Sequence, residues 1–444
     1  MMNQHTNTMS RNYLLLSLFI VLLGDHIFGF GLSLMPGLSF KNLYLYFIII
    51  YLVSSAAVQG QFLSTSFPRF YIVFVLLCVY GMASWAVSSI VLSNYRPLSH
   101  AMSLKNQLVD PLLFFSVTFF GCRSKQDARW LAKGIFLAFA LMSVLVLMDF
   151  VNLPNLGIIE DRPDGRLEGV LDNSNGFASL LIFFLFAMGP RMVTRDRSLI
   201  TIAGMLASFA LILLTGSRGA LAGLAGSAVV TTFFLRKRLD TKTVVRVGAV
   251  VLAVVVAIAV VTFILHPDMF LNRLDRSEAG TLAAASSGRT EFWTRGLMRM
   301  WEHPSSLAIG FGWDTFIYSW IYPDPHSQYL YIFYSTGAVG LGLYLWLMVC
   351  VFRNAARSLE LAEPGDRPYL VAFLYGFVAL LFSITFATIY TPWPFVWAYV
   401  GLMSKLAWLP SSPPAPEEAE GLVTGGGLRR GYEAAAHEGS RARS

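Results

Sequence analysis

The chain has 444 residues, of which 55% are hydrophobic, 14% aromatic and only 13% charged, with a mean hydropathy of +0.59. A soluble domain carries about 25% charged residues, and a single water-soluble core stops growing near roughly 250–300 residues. The composition therefore excludes a soluble protein and reads as a polytopic membrane protein. The net charge of +7 and the pI of about 9.3 belong to basic loops on one side of a membrane rather than to a nucleic-acid footprint. The three cysteines, Cys78, Cys122 and Cys350, sit singly and give neither a disulfide framework nor a metal site.

A bilayer span needs about 20 mostly apolar residues. By that measure about twelve transmembrane helices follow one another: 13–35, 43–59, 70–92, 106–122, 130–152, 176–190, 198–216, 219–235, 245–265, 328–352, 369–389 and 392–409. Residues 1–12 lead into the first of them without a small-residue cleavage site, so that run reads as a span and not as a removable signal. The runs 70–92, 247–265 and 328–352 hold no charge; the first span is interrupted by Asp25 and His26, the fourth by Asp110 and Pro111, and the sixth is short.

Alternate connections are basic, with Arg123, Lys125 and Arg129, then Arg191, Arg195 and Arg197, then Arg236, Lys237, Arg238, Lys242 and Arg246, and last Arg353, Arg357 and Arg367. The positive-inside bias assigns these to the cytoplasm together with both termini. The expected fold is all-α and polytopic: a cytoplasmic tail at 1–12, helices 1–9 over 13–265, one large periplasmic loop with short helices at 266–327, helices 10–12 over 328–409, and a cytoplasmic tail at 410–444. That tail is rich in Pro, Glu, Ala, Gly and Arg and lacks an apolar face, which predicts disorder.

Three connections then face outward: 153–175, the turn TGSRG at 215–219, and 266–327. In TGSRG, Arg218 stands between two apolar spans with almost no loop to carry it into water, and a charge within the bilayer costs on the order of 2.5–3.5 kcal/mol. Gly216 and Gly219 are expected to let the backbone turn and to leave room around the guanidinium. An arginine that snorkels to headgroups or packs on a carboxylate explains Arg218 equally well.

In the long loop, SSGRTEFW opens a helical stretch from Glu291 to Trp301, expected to lie on the outer surface. A cap from Ser286 or Ser287 would set Arg289 near the positive end of that helix, where it reinforces an anion site, phosphate first; the competing reading is a solvated surface arginine. His326 directly precedes the uncharged tenth span, at the membrane–water boundary. Its titration near neutrality suits general-base work on a hydroxyl, against a purely structural interfacial role.

Asp172, Asn173 and Asn175 in VLDNSNGF offer polar groups at a span entrance or cap its helix. Ser217 and Gln328 are further secondary candidates beside Arg218 and His326. Gly337 and Gly340 suggest close helix packing. Asp25, His26 and Asp110 read either as lining a pathway or as interhelical hydrogen-bonding groups. Trp293, Trp301, Trp313 and Trp320 read as an interfacial belt or as faces for sugar rings. There is no DxD, no GxxxxGK[ST], no GxGxxG after a strand and no His/Cys cluster with zinc spacing, so neither a metal nor a cofactor is expected. A substrate handled outside the cytoplasm, beyond nucleotide donors, has to arrive activated and lipid-anchored, as a polyprenyl diphosphate does.

TGSRGAL between two spans, then a large outer loop with SGRTEFW, then HSQYLYIFYSTGAVGLGLYL, resembles the O-antigen ligase/polymerase superfamily of bacterial envelopes, and its ligases most. The likeness covers roughly 170 to 350 in detail and the whole chain in span number and in the place of the big loop. VLDNSNGFASL is similar to the family's Asn-containing element, with Ser174 where Pro is commoner.

The resemblance implies a metal-independent, inverting glycosyltransferase of the lipid-donor type in the bacterial inner membrane. It would transfer O-antigen from undecaprenyl diphosphate to a sugar hydroxyl of lipid A–core on the periplasmic face, among membrane lipids and without nucleic acid. Arg218 and Arg289 would hold the diphosphate, and His326 would act on the acceptor. The alternatives are a repeat-unit polymerase of the same superfamily and, from another class, a transporter or flippase of a lipid-linked anion. A protein-glycosylating relative is disfavoured because no sizeable extra-cytoplasmic domain follows the last span. A transporter would distribute polar residues through both leaflets, whereas here they gather at one face.

Overall fold

The computed structural model describes residues 2–28, 33–35, 38–58, 69–91, 96–151, 173–193, 199–236, 288–316, 325–389 and 393–406, with single positions such as Leu167 between them. Most of the expected span 245–265, the tail 410–444, Asp172, Trp320, most of the loop 153–175 and the stretch 266–287 lie outside the described residues, as does the side chain of His26.

The described chain is helical apart from one small ribbon. In order it runs α1 (Met2–Phe28), β1 (Ser33–Met35), β2 (Leu38–Ser39), α2 (Phe40–Val58), α3 (Arg69–Val91), α4 (Pro97–Leu104), a π-turn (Lys105–Val109), α5 (Asp110–Gly121), α6 (Lys125–Phe150), α7 (Ser174–Val193), α8 (Leu199–Thr215), α9 (Arg218–Leu235), α10 (Arg289–Glu302), α11 (Pro304–Ile309), α12 (Gln328–Leu361), α13 (Arg367–Ser383) and α14 (Trp393–Leu406). The ribbon is antiparallel, with Ser33 opposite Ser39 and Met35 opposite Leu38. Among the described residues α3, α6, α9 and α12 are long and apolar enough to cross a membrane, and α2, α7, α8 and α13 are shorter apolar helices.

Small residues decide which helices meet, because between apolar helices close approach replaces the hydrophobic drive. Gly223 and Gly226 form a stripe on α9 that receives α13. A Cβ on Gly223 would lie 2.6 Å from the Ala379 carbonyl oxygen, and one on Gly226 would lie 2.8 Å from the Phe382 ring. Thr232 at the far end of α9 meets the Tyr375 hydroxyl at 2.7 Å, so the two helices run antiparallel. Gly204 on α8 presses on Ala140 of α6 in the same way, and the Ser143 and Ser208 hydroxyls bond at 2.8 Å. On α5, Thr118 donates to the Ala398 carbonyl of α14 at 2.7 Å beside Gly401.

One end of the bundle is closed by charge. A capping box of Ser124 and Asp127 opens α6; Asp127 also accepts from Arg11 at 2.9 Å and from Asn12 at 2.7 Å. Lys125 pairs with Glu363, and Arg129 donates to the buried Asp366 at 2.8 Å. These residues stand where α6 and α13 begin and where α12 ends.

Three sequence expectations change. The run 328–352 was expected to be one uninterrupted helix, yet α12 is broken at Gly337 (φ 65°, ψ −167°). Gly337 abuts the Ala308 backbone and Gly310 abuts that of Ser335, and the carbonyls of Tyr334 and Ser335 accept from the amides of Phe311 (2.9 Å) and Gly312 (3.0 Å). Only glycine admits two backbones this close. The run 369–389 ends as a helix at Ser383, and 384–389 is irregular. Finally, Asp25 and Asp110 are ion-paired, with Lys41 at 2.7 Å and with Lys105 at 2.8 Å. α1 passes through Asp25 without interruption, and the π-turn brings Lys105 onto Asp110.

Candidate functional site

At the opposite end, where α7, α9 and α12 begin and α8 and α13 stop, Asn173, Asn175, Ser217, Arg218 and Gln328 stand at helix starts that are bonded to one another or through residues 383–389. Asn173 caps α7, its Oδ1 accepting from the amides of Asn175 (3.0 Å) and Gly176 (3.1 Å). The Ser217 hydroxyl donates to Asn175 Oδ1 at 2.8 Å and accepts from the Ala220 amide at 3.3 Å, so it caps α9 while it is tied to α7. Gly216, at φ 56°, makes the turn between α8 and α9. Arg218 follows as the first residue of α9, with its side chain exposed. Its backbone is fixed from two sides while the guanidinium reaches outward at the positive end of a helix.

Gly219 does something other than leave room for that guanidinium. A Cβ there would lie 2.9 Å from Phe386 Cβ, so the glycine admits the irregular segment after α13. The same segment grips α12. The Gln328 amide donates to the carbonyls of Ile384 (2.9 Å) and Ala387 (3.1 Å), and its buried Oε1 accepts from the Ile389 amide at 3.1 Å. Tyr329 donates to the Leu381 carbonyl at 2.8 Å, and the hydroxyls of Ser179 and Ser383 bond α7 to the end of α13. Residues 383–389 thus link α7, α9 and α12. Gln328 is a clamp in this arrangement, with its side-chain oxygen committed to the protein.

His326 stands two residues before the clamp, in a left-handed backbone conformation (φ 50°) that a non-glycine residue adopts only when its surroundings impose it. Ser327 then caps α12, accepting from the Leu330 amide at 3.4 Å. Arg289 opens α10 and is half-buried. Gly288, at φ 80°, occupies the cap position without a side-chain cap bond. The expected cap by Ser286 or Ser287 lies outside the described residues. One helical turn beyond Arg289, Trp293 donates from its indole nitrogen to the Pro325 carbonyl at 2.8 Å. That bond ties the arginine's face of α10 to the residue next to His326.

A second polar group was not foreseen. The buried Tyr331 hydroxyl donates to Asp314 Oδ1 at 3.1 Å with Gln107 Oε1 at 3.0 Å, and His100 Nδ1 lies 3.7 Å from Asp314 Oδ2. This network joins α4, the π-turn and the loop after α11 to the second turn of α12. Its contacting pairs are 17 to more than 200 positions apart, and an aspartate among apolar neighbours gives no local sign of its partners. Among the described residues no group of three or more His, Cys, Asp or Glu side chains is arranged to hold a metal ion.

A family model described as O-antigen ligase matches residues 203–345. The matched stretch contains Ser217, Arg218, Arg289, His326 and Gln328, and begins after Asn173 and Asn175. No curated protein matches the chain.

Proposed function

From residues 203–345, which carry the O-antigen ligase domain and support membership of the O-antigen ligase/polymerase superfamily, we infer that the chain is an O-antigen ligase. In this reading it moves O-antigen polysaccharide from undecaprenyl diphosphate to a sugar hydroxyl of lipid A–core on the periplasmic face of the inner membrane. The observation that supports it best is the convergence of the motif residues. Asn175, Ser217 and Arg218 are bonded into one turn, Trp293 ties the helix of Arg289 to Pro325 beside His326, and residues 383–389 link α9 to the start of α12.

The topology proposed for this function has twelve crossings. They are α1, α2, α3, the α4–α5 unit, α6, α7, α8, α9, the apolar run 245–265, α12, α13 and α14. In that topology Arg11, Asp127 and Asp366 would lie on the cytoplasmic side with the basic loops, and the candidate site on the periplasmic side.

The chemistry follows from the residue types. The acceptor hydroxyl oxygen attacks the anomeric carbon, and the bond from that carbon to the diphosphate oxygen breaks on the opposite face, inverting the centre. The hydroxyl proton passes to the imidazole of His326, and the polyprenyl diphosphate leaves with the bonding pair. Arg218 and Arg289 stabilise that leaving charge. A guanidinium offers two parallel donors to phosphate oxygens and stays charged at any physiological pH, and fixed charge of this kind is typically the largest catalytic contribution.

The test is deletion in a bacterium carrying this gene, with lipopolysaccharide resolved on gels and lipid-linked glycan extracted. A ligase predicts loss of all O-antigen from the core with accumulation of lipid-linked polymer. A single repeat unit left on the core would make the protein a polymerase instead, and unchanged transfer with donor stranded on the cytoplasmic side would make it a flippase.

A further inference from the structure

α10 has three faces. At 3.6 residues per turn, Arg289, Trp293, Gly296 and Met300 share one stripe. Gly296 and Met300 are buried there, and Met300 packs with Phe316 and Tyr334. Glu291, Arg295, Arg299 and Glu302 occupy a second sector, with Glu291 and Arg295 ion-paired and Arg299 over the Phe311 ring. Between these sectors lie Leu297, Met298 and Trp301, which are 44%, 60% and 76% exposed. A helix resting on a protein in water needs an inner face and a charged outer face. This one carries a third, apolar face that the described residues leave exposed.

The depth of the element shows what that face meets. α12 has 34 residues in two helical parts on either side of Gly337, more than the about 20 residues that cross a hydrocarbon layer about 30 Å thick. Its first charged residue is Arg353. Counting back about 20 residues from there, one bilayer crossing, places the outer edge of the hydrocarbon near Phe333. The loop after α11 bonds to α12 at that level, through the Phe311 and Gly312 amides to the Tyr334 and Ser335 carbonyls. Ala308 and Ile309 abut Gly337 just below it. Ile309 is 50% exposed and Val339, two residues past the break, is 48% exposed, so the apolar face of α10 and α11 continues into the apolar flank of a membrane helix.

We propose that α10 and α11 form an interfacial element whose Leu297, Met298, Trp301 and Ile309 side chains enter the outer lipid leaflet, so that Arg289, on the adjoining face, works at headgroup depth. A helix with one apolar and one charged face lies in the plane of the interface in this way. For the role of Arg289 the proposal rests on the ligase reading; the lipid contact does not. A diphosphate anchored in the bilayer would then be met where its lipid holds it, without being lifted into the periplasm.

The test is site-directed spin labelling of the full chain in phospholipid nanodiscs, with Cys78, Cys122 and Cys350 changed to alanine. Single cysteines are introduced as Met298→Cys, Trp301→Cys, Glu291→Cys and Arg295→Cys. The expected result is an oxygen-to-nickel-chelate accessibility ratio several-fold higher at 298 and 301 than at 291 and 295. Equal ratios at all four positions would overturn the proposal, as would protection of 298 and 301 from both reagents, which would mean that protein covers the face. A parallel measurement separates this from the functional reading. Met298→Asp with Trp301→Asp should lower transfer from a long-chain polyprenyl donor several-fold while sparing a short, water-soluble prenyl donor. Absence of transfer from either donor by the unaltered protein would instead overturn the ligase reading and leave the accessibility pattern to stand or fall alone.

Discussion

The hydrogen bond between Ser217 and Asn175 is the sharpest point at which to test whether the cluster at the start of α9 is a working site. The Ser217 side chain is 3% exposed and uses its hydroxyl twice, donating to Asn175 Oδ1 at 2.8 Å and accepting from the Ala220 amide at 3.3 Å. Ser217→Ala removes the cap, about 1 kcal/mol within a range of roughly 0.5–2, together with the bond to Asn175, about another 1 kcal/mol. Asn175→Ala keeps the cap but strands a buried hydroxyl donor, which costs about 1–3 kcal/mol. If both changes act on Arg218 through this one bond, the double variant loses it only once. Its loss in kcat/KM should therefore fall short of the sum of the single losses by about 1 kcal/mol, roughly a factor of five in rate. The assay is transfer from a purified lipid-linked donor to lipid A–core by the four proteins at equal membrane content, read as activation free energies. Additivity within about 0.3–0.5 kcal/mol would refute the coupling and reduce Ser217 to an ordinary cap.

Other expectations follow from the same geometry. Arg218→Lys keeps the charge but not the planar fork, so transfer should fall about 10²–10³-fold; near-wild-type transfer would make Arg218 a headgroup or packing residue. Transfer by the purified protein should survive EDTA, since in the proposed mechanism the two arginines would do what a metal ion does elsewhere, and inhibition reversed by Mg²⁺ would overturn the metal-free mechanism. His326→Ala should bind the lipid-linked donor without transferring from it. Gly223→Ala forces a methyl group to within 2.6 Å of the Ala379 carbonyl and should cost about 1–3 kcal/mol by overpacking. Gly342→Ala meets nothing within 4 Å and should stabilise by up to about 1 kcal/mol; thermal unfolding in detergent distinguishes the two.

What the sequence discloses depends on how local the cause is. The starts of α3, α7, α8, α9 and α14 fall within two residues of the apolar runs read from composition, because a span is a property of about 20 consecutive residues. The TGSRG turn was legible for the same reason: a glycine at φ 56° and a serine cap are both local devices. The break at Gly337 was not legible. A glycine in an uncharged run reads equally as a packing residue, and what breaks the helix is the backbone of Ala308, Gly310 and Gly312 arriving from another segment. Residues 384–389 were hidden in the same way. Thr385 and Thr388 are unremarkable at the end of an apolar run, and the irregular backbone there is held by Gln328, more than fifty positions earlier. Asn175 and Ser217 were each candidates, but nothing in either neighbourhood announces the bond between them.

Where the helices are allowed to stop also bears on where charge can be handled. In lipid a backbone group that leaves a helix has to be satisfied by protein, so irregular backbone at that depth survives only where other segments supply donors and acceptors. The described chain meets that condition repeatedly at one end. Phe311 and Gly312 serve the carbonyls freed by the break at Gly337, Gln328 serves those of Ile384 and Ala387, and Gly216 donates to the Leu213 carbonyl to close its turn. The opposite end is closed by the Ser124–Asp127 capping box and by ion pairs of Arg11, Lys125 and Arg129, which fasten helix ends together. Substitutions at the ion-paired end therefore act on the fold first. At the other end Arg218 stands exposed on a rigidly capped turn and His326 in a conformation its neighbours impose, so their substitution should remove transfer while the bundle persists. That separation is what the proposed site would require, because groups that meet a ligand cannot also be the ones that keep the helices in place.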